Sequence, residues 1–295
     1  MYDIASLYRA QSVEDALRAL HEDENAMVIC GGTDVLVANR DGKHAGAALV
    51  SVNGLDELRG VTLEADGTIV IGAATRFTDV TASPVIQAHI PMLGLAADEV
   101  GSPQIRNMGT IGGNVCNGVT SADTAPSLLA LDAELELRSL SGERRVELCD
   151  FYVGPGKTVR RRDELLCRIR IYPDSYRAVG GCYIKYGKRN AMEISTLGCA
   201  VAVRLSGDKT AIERVRVAYG VAGPTPMRCL AAEDAALGRA PTEETIALAA
   251  DAAVRAISPR NSWRASRAFR LHLAHELLCR AMAKAIQNAG GDLHV

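Results

Sequence analysis

Two pairs of adjacent glycines, each beside polar side chains, are the residues in this chain best suited to bind a ligand. The first pair lies in CGGTD at residues 30–34, directly after the apolar residues 27–29, and the second lies in GTIGGN at residues 109–114. Because glycine has no Cβ, a ligand can approach the backbone N–H groups of such a turn closely. Consecutive free N–H groups form an anion site that suits phosphate. The pattern predicts that the two turns are the two halves of a pyrophosphate-binding site.

The surrounding residues favour one kind of nucleotide. Neither glycine pair is followed by the Gly-Lys-Ser/Thr of a P-loop, and neither belongs to a G-x-G-x-x-G that opens a Rossmann helix. Two separate loops instead suggest flavin adenine dinucleotide (FAD), whose long pyrophosphate can lie between two small subdomains. Asp123, which follows the second turn, is suited to accept a hydrogen bond from a ribose hydroxyl or the adenine amine. Alternatively, Ser121 and Asp123 cap the next helix, and the spacing leaves both interpretations open.

At this level of detail the chain resembles the FAD-binding medium subunit of the xanthine dehydrogenase family of molybdenum hydroxylases. The combination of TIGGN with a following SAD is specific to this type of protein, whereas GGTD alone is not. The resemblance is strongest to the bacterial split xanthine dehydrogenases, whose flavin subunit is a separate polypeptide. The matching segments run in order along the whole chain: VICGGTDVLV at 28–37, GSPQIRNMGTIGGNVCNGVTSAD at 101–123, IKYGKRNAMEISTLGCA at 184–200, YGVAGPTPMRC at 219–229 and SWRASRAFRLHLAHELL at 262–278.

The resemblance implies a mixed α/β (α+β) fold with two domains. Residues 1–175 are expected to form an FAD-binding domain of the vanillyl-alcohol-oxidase or PCMH type, with subdomains at about 1–54 and 55–175. Residues 176–289 are expected to form the C-terminal domain of molybdenum hydroxylase flavoproteins, with a small antiparallel sheet and helices, and residues 290–295 to form a tail.

The resemblance also implies roles for individual residues. The first turn holds the pyrophosphate, Asp123 holds the adenosine end, and residues 104–106 approach the ring. A leucine packs near the isoalloxazine, a role for Leu165 or Leu166 in which the alignment favours Leu166. Lys185 matches a lysine near the polar edge of the ring, while a surface lysine on a strand is the alternative. The predicted cofactor-binding residues are Met27, Val28, Ile29, Cys30, Gly31, Gly32, Thr33, Asp34, Gly109, Thr110, Ile111, Gly112, Gly113, Asn114, Asp123, Leu166 and Lys185.

Electron transfer within a larger complex is the function that the resemblance implies. A large partner would hold molybdopterin and the substrate, a small partner would hold [2Fe-2S] clusters, and NAD+ would accept electrons from FAD, all within a higher-order hetero-oligomer. No catalytic side chain is required for that transfer. The loop at 30–33 contains no histidine, and none lies between residues 22 and 43, so we expect non-covalent FAD. The alternatives are the flavin subunit of a related hydroxylase or carbon monoxide dehydrogenase, or a free-standing flavin reductase.

Composition excludes several other classes of function. The net charge is −2, and the basic triplet 160–162 is followed directly by two acids, so we expect a solvated loop and not a nucleic-acid site. No apolar run is long enough to span a membrane, and the N-terminus lacks the pattern of a signal peptide, which predicts a cytoplasmic protein. None of the eight cysteines forms a C-x-x-C pair, and the histidines form no ligand pattern, so no metal site is predicted.

Hydrophobic periodicity predicts the elements that position these loops. Ser12 begins the first helix, and short apolar strands on either side of the first turn indicate a small parallel sheet. Residues 83–100 are predicted to be helical, and residues 63–72 and 135–148 to form hairpins. A long final helix is predicted, capped by Asn261 or Ser262.

Overall fold

The amino-terminal part of the chain folds as a small parallel sheet between two helices. The structure is a computed structural model and describes residues 2–293, so residues 294 and 295 of the predicted tail lie outside it. The strands pair in the order β1-β3-β2, and both pairings are parallel, which confirms the prediction. These elements are β1 (Ile4–Arg9), α1 (Val13–Glu22), β2 (Ala26–Ile29), α2 (Val35–Arg40) and β3 (Ala47–Ser51).

A five-stranded antiparallel sheet follows, in the order β4-β5-β10-β6-β7, and a separate ribbon pairs β8 with β9. Helices fill the long connection from β5 to β6. The strands are β4 (Val61–Leu63), β5 (Ile69–Gly72), β6 (Glu134–Ser139), β7 (Gly142–Glu147), β8 (Tyr152–Gly154), β9 (Lys157–Thr158) and β10 (Leu165–Ile171). The helices are α3 (Phe77–Ala82), α4 (Pro84–His89), α5 (Pro91–Asp98), α6 (Pro103–Arg106), α7 (Ile111–Asn117) and α8 (Thr124–Ala130).

The helical segment predicted at 83–100 is divided in two. α4 ends at His89, because Ile90 precedes Pro91 and a residue before proline is disfavoured in the helical region. Pro91 then occupies the first turn of α5, where its missing N–H costs nothing. The hairpins predicted at 63–72 and 135–148 are both present as β4–β5 and β6–β7.

The C-terminal part is a four-stranded antiparallel sheet packed on helices, in the order β11-β12-β13-β14. One face of this sheet and the apolar sides of the last two helices form a continuous core. No helix among residues 2–293 is long and apolar enough to cross a membrane. The elements are α9 (Pro173–Tyr176), β11 (Gly180–Tyr186), β12 (Leu197–Leu205), β13 (Ile212–Gly220), β14 (Met227–Arg228), α10 (Leu230–Ala236), α11 (Glu243–Ala256) and α12 (Arg267–Asn288).

The predicted cap of the final helix is wrong. α12 begins at Arg267, because the hydroxyl of Ser266 accepts a backbone N–H from the first turn. Asn261 instead accepts the N–H of Arg267 from outside the helix, at 2.6 Å. The hydroxyl of Ser262 accepts a hydrogen bond from the buried guanidinium of Arg270, at 2.8 Å. The two residues therefore hold the loop against the helix without starting it.

One of the carboxylates that join the C-terminal sheet to the preceding domain binds three arginines. Asp132, between α8 and β6, accepts hydrogen bonds from Arg214, from Arg216 at 3.1 Å and from Arg228 at 2.5 Å. All three arginines lie on β13 or β14. This cluster fixes the position of the C-terminal sheet beside α8, whose N-terminal residues lie at the site described next.

Candidate cofactor-binding site

A cleft of about 1080 Å³ contains most of the predicted site residues. It lies where β2, the start of α7, the start of β10 and the loop after β11 meet. Of the predicted residues, those that line it are Met27, Val28, Cys30, Gly31, Gly32, Thr33, Asp34, Thr110, Gly112, Gly113, Asn114, Asp123 and Leu166. Tertiary folding therefore brings together loops that lie far apart along the chain.

The first glycine turn presents free backbone donors to this cleft. Within residues 2–293, the backbone N–H groups of Gly32, Thr33 and Asp34 donate to no protein acceptor. Gly32 has a φ of +72°, a conformation that glycine adopts without strain. A Cβ on Gly31 would overlap the carbonyl oxygen of Met108. Glycine at position 31 thus lets the first turn pack against the segment that precedes the second.

The second glycine turn is different, and the expectation that it offers free amides is wrong. Thr110 caps α7 by accepting the N–H of Gly113 at 3.2 Å. The N–H groups of Ile111 and Gly112 donate to backbone carbonyls of residues 75 and 73, at 3.0 Å and 2.9 Å. The donor that remains in this turn is the side-chain amide of Asn114. Its Oδ1 accepts a hydrogen bond from the Thr124 hydroxyl at 2.7 Å, while its Nδ2 has no acceptor among the described residues.

Asp123 and Lys185 form a buried ion pair, with 2.9 Å between Oδ2 and Nζ. Oδ1 of Asp123 accepts hydrogen bonds from Tyr183, at 3.0 Å, and from Ser195. Burial raises the pKa of Asp123, and the Lys185 ammonium and the hydroxyl donors oppose that effect. The side chain of Asp123 makes no capping bond to α8, so the capping alternative is wrong. Lys185 is not a surface lysine, because only 7% of its side chain is exposed.

Four predicted residues do not line the cleft. Ile29 points into the core beside β3, and Ile111 is fully buried. Gly109 packs against the ring of Phe77. Lys185 lies behind Asp123, where its Nζ also donates to the carbonyl of Glu99 at 2.7 Å. These residues support the cleft from behind.

The leucine alternatives are not separated by the geometry, since Leu165 and Leu166 both line the cleft at the start of β10. Of residues 104–106, Ile105 lines it. Arg106 instead pairs with Asp98 at 3.2 Å.

Sequence reasoning missed several residues that line the cleft. Arg160 and Arg162 were expected in a solvated loop, but both lie at the cleft. Arg162 donates to the carbonyls of Leu20 and Asp23, and Arg160 donates to the carbonyl of Glu164, so both are held in place. The basic triplet at 160–162 could have indicated these residues, because a phosphate site attracts positive charge. The loop after β11, the residues just before β2 and the loop between α2 and β3 carried no such signal. They add Met192, Glu193, Ile194, Glu24, Asn25 and His44.

The cysteines are unpaired thiols. Two of them, Cys30 and Cys116, line the cleft, and burial raises the pKa of both, that of Cys116 to about 11. These two side chains are therefore neutral at physiological pH. Among residues 2–293, one group with metal-ligand spacing exists, formed by the exposed Glu147, Cys149 and Asp150.

Comparison with known proteins identifies the class of protein that this fold and cleft define. Residues 3–173 match the model of the FAD binding domain in molybdopterin dehydrogenase, and residues 182–285 match the C-terminal domain of the carbon monoxide dehydrogenase flavoprotein. The chain is thus an FAD-binding oxidoreductase subunit. It belongs to the FAD-binding subunits of the xanthine dehydrogenase and molybdenum hydroxylase family.

Individual relatives match over nearly the full length of the chain. It is 41% identical to the xanthine dehydrogenase FAD-binding subunit of Escherichia coli O157:H7, over 99% of this chain and 100% of that subunit. It is 32% identical to the carbon monoxide dehydrogenase medium chain of Hydrogenophaga pseudoflava, over 92% of this chain and 93% of the relative. A chain of the solved structure of carbon monoxide dehydrogenase from Hydrogenophaga pseudoflava that lacks the Mo-pyranopterin moiety superposes with a TM-score of 0.92, at 31% identity, covering 98% of this chain and 99% of that one.

Proposed function

We propose that this chain is the electron-transfer subunit of a purine hydroxylase of the xanthine dehydrogenase type. In this proposal a small partner passes electrons from [2Fe-2S] clusters, a large partner holds molybdopterin and the purine, and NAD+ is the acceptor. The main support for this proposal is the 41% identity, over 99% of the chain, to a subunit named for xanthine dehydrogenase. A cytoplasmic location is part of the proposal and is supported by the eight unpaired thiols.

The cleft fits the pyrophosphate of FAD at the first glycine turn. The free N–H groups of residues 32–34 would bind the phosphates, and glycine at position 31 lets the turn that carries them pack against Met108. Arg160 adds positive charge to the same cleft. When bound, FAD supplies a carrier that accepts electrons singly and releases them as hydride. The protein's own part is to orient that group and to shield it.

The first turn lies between the two ends of the cleft. β2 separates Asn25 from Gly31 by about 16–20 Å of extended chain, so Asn25 and Gly31 lie at opposite ends of that strand. Beyond Gly31 lie the second turn and Asp123. The resemblance gives Asp123 to the adenosine end of FAD and Lys185 to the edge of the flavin ring. The two side chains form one ion pair, however, and an extended dinucleotide cannot place both of its ends there. We therefore assign both to the flavin end, beside Leu166, and assign the adenosine end to the side lined by Glu24 and Asn25, with Arg162.

We also propose that the domain boundary lies at residues 175/176. The two family models meet between residues 173 and 182, and the strands of the five-stranded and four-stranded sheets end and begin on either side of it.

The decisive experiment is purification of the tagged chain from its native host under conditions that keep complexes intact. We expect co-purified subunits that contain molybdenum and iron, and NADH formation when xanthine and NAD+ are added. A chain that elutes alone with full activity would contradict the proposal. A complex with the expected metals but no NADH formation from xanthine would contradict the purine and NAD+ assignments.

A second function has its own supporting observation, the TM-score of 0.92 to a carbon monoxide dehydrogenase. In that case the same subunit would serve a complex with another substrate or another acceptor. The purified complex distinguishes the two, because carbon monoxide with an artificial dye acceptor would then support turnover and xanthine with NAD+ would not.

Non-covalent FAD is tested by acid precipitation of the purified protein. We expect the yellow colour in the supernatant, since the loop at 30–33 offers no histidine for a bond to the flavin. Yellow colour that stays with the pellet would contradict this expectation.

A further inference from the structure

The one tryptophan of the chain, Trp263, stands on the surface with 79% of its area exposed. Two cations lie over its ring, the guanidinium carbon of Arg264 at 4.3 Å and Nζ of Lys188 at 5.7 Å from the ring centre. Such an exposed indole contributes little to the core, but it presents a flat aromatic face beside positive charge. Aromatic faces flanked by cations are what proteins use to stack a nucleobase and hold its phosphates.

The positive charge around Trp263 is not neutralised by carboxylates. Within residues 2–293, the side chains of Lys188, Arg189, Arg260 and Arg264 take part in no ion pair. Burial, together with the charges of Arg260 and Arg264, lowers the pKa of the nearby Arg270. The acid of this region, Glu193, accepts the backbone N–H of Arg189 at 2.6 Å. Since the whole chain carries a net charge of −2, this concentration of cations is a local feature.

This surface is continuous with the cofactor cleft. The guanidinium of Arg189 donates to the carbonyl of Met192 at 2.6 Å, and Met192 lines the cleft. The backbone N–H of Met192 donates to the carbonyl of Gly101, another residue of the cleft, at 3.2 Å. Lys188 lies four residues before Met192, a span of at most about 14 Å. An extended dinucleotide is long enough to reach from the Trp263 surface into the cleft.

We propose that Trp263, Lys188 and Arg264 bind the adenosine diphosphate half of a nicotinamide dinucleotide whose other half enters the cleft past Met192. The inference rests on the proposed function, in which NAD+ is the acceptor. The adenine ring stacks on the indole, and the ammonium and guanidinium groups bind the pyrophosphate. An acidic face of a partner subunit would also suit the charge, but it would not need a surface that continues into the cleft.

The test uses the full-length chain saturated with FAD, so that ADP cannot occupy the adenosine site of the flavin cofactor. Trp263 is the only tryptophan, so its fluorescence reports on this surface alone. We expect saturable quenching by ADP and little by nicotinamide mononucleotide. By calorimetry, Trp263→Ala should weaken ADP binding by at least about fivefold, the loss of one stacked base. The double variant Lys188→Ala/Arg264→Ala should weaken it similarly, while Trp263→Phe retains most of the affinity.

Arg280→Ala is the matched control, because Arg280 is an exposed cation about 20 Å further along α12. It should leave ADP affinity unchanged. In the purified complex, Trp263→Ala should raise the KM for NAD+ by a similar factor and leave kcat nearly unchanged.

The outcomes separate this inference from the proposed function. ADP binding that depends on Trp263 in a complex that forms no NADH would support the site and contradict NAD+ as the acceptor. NADH formation with a KM unaffected by all of these variants would contradict the site and leave the proposed function standing. Loss of ADP quenching when the partner subunits assemble, or failure of Trp263→Ala to assemble, would identify a subunit interface and overturn the inference.

Discussion

At the scale of single residues, the cleft depends on a glycine that has no room for a side chain. Gly31 contributes no side-chain group, yet its Cα packs directly against the backbone of Met108 and Gly109. The free amides of residues 32–34 are positioned by that contact. The chemistry of the first turn is therefore a property of its backbone, and it is sensitive to a single added carbon atom.

Gly31→Ala is expected to lower the FAD content of the purified protein and to lower the free energy of unfolding by at least about 2 kcal/mol, since overpacking forces the backbone apart. Absorbance of the protein after gel filtration gives the flavin ratio, and urea denaturation gives the stability. Gly207→Ala is the control, because a Cβ there has no neighbour within 4 Å. Equal flavin content in the two variants would contradict the role of Gly31.

Asp123 and Lys185 are expected to depend on each other energetically. Lys185→Met leaves a buried carboxylate without its counter-ion, which should cost about 3 kcal/mol or more of stability. The double variant Asp123→Asn/Lys185→Met should lose clearly less than the sum of the two single variants. Urea denaturation of all four proteins provides the measurement, and additive losses would show that the pair is not coupled.

Glu164 provides a pH-dependent prediction. Burial alone raises the pKa of its carboxyl, but hydrogen bonds from Arg144, at 2.6 Å and 2.9 Å, and from the Arg161 N–H outweigh it and hold the pKa below its usual value. Because the pKa of Glu164 is lower in the folded state, its ionised carboxylate stabilises the fold above the pKa of the unfolded state, about 4.5. That stabilisation is lost as the pH falls through the pKa of the folded state. Glu164→Gln should cost about 2 kcal/mol at neutral pH.

The difference in unfolding free energy between the wild type and Glu164→Gln should shrink as the pH falls below about 4.5. Chemical denaturation across the acid range measures it. A difference that is constant from neutral to acid pH would show that the carboxylate charge of Glu164 does not stabilise the fold.

At the scale of elements, helix starts decide which backbone donors are available. Thr110 and the carbonyls of residues 73 and 75 satisfy the amides of the second glycine turn, because that turn is the first turn of α7. The first glycine turn comes before α2, and Asp34 makes no side-chain capping bond there. Two similar sequence motifs therefore present different groups to the cleft.

The start of α12 is expected to depend on the hydroxyl of Ser266. Ser266→Ala removes the capping hydroxyl and should lower stability by about 1 kcal/mol. Ser141→Ala is a suitable control, since the hydroxyl of Ser141 has no hydrogen-bond partner among the described residues. Thermal denaturation compares the two variants. Equal melting temperatures would contradict the role of Ser266 and favour Asn261 as the helix cap.

At the scale of the whole molecule, the C-terminal sheet has to be held against the cleft. Tyr183 and Lys185 on β11 contact Asp123, and the following loop reaches the rim of the cleft through Met192. These contacts exist only when the sheet is docked on α8. The three arginines bound to Asp132 are a further polar contact that holds it there.

Asp132→Asn should lower the free energy of unfolding by about 2 kcal/mol and increase proteolytic cleavage between the domains. Asparagine is a suitable replacement, because position 132 has a φ of 46° and asparagine tolerates that conformation. Asp174→Asn is the control: its side chain is 76% exposed, so its pairs with Arg204 and Arg214 should contribute less than about 1 kcal/mol. Equal losses in the two variants would contradict the role given to Asp132.

Much of the fold was predictable, because it follows from local periodicity. The helix after Ser12, the parallel sheet around β2 and the two hairpins arise from patterns within short segments. The start of α12 was not predictable, since Asn261, Ser262 and Ser266 can all cap a helix, and in the fold Ser262 instead accepts a hydrogen bond from Arg270. For the same reason, sequence spacing left the role of Asp123 open.

By itself, the sequence determined the glycine turns, the family and the order of the elements, because residue type and spacing along the chain carry that information. The tertiary structure alone decided which amides remain free, since a donor is free only if no other part of the chain supplies an acceptor. It also decided that Asp123 and Lys185 form one pair and that the Lys188 ammonium lies over the ring of Trp263. Such facts depend on distances between segments far apart in sequence, and they are set when the domains pack.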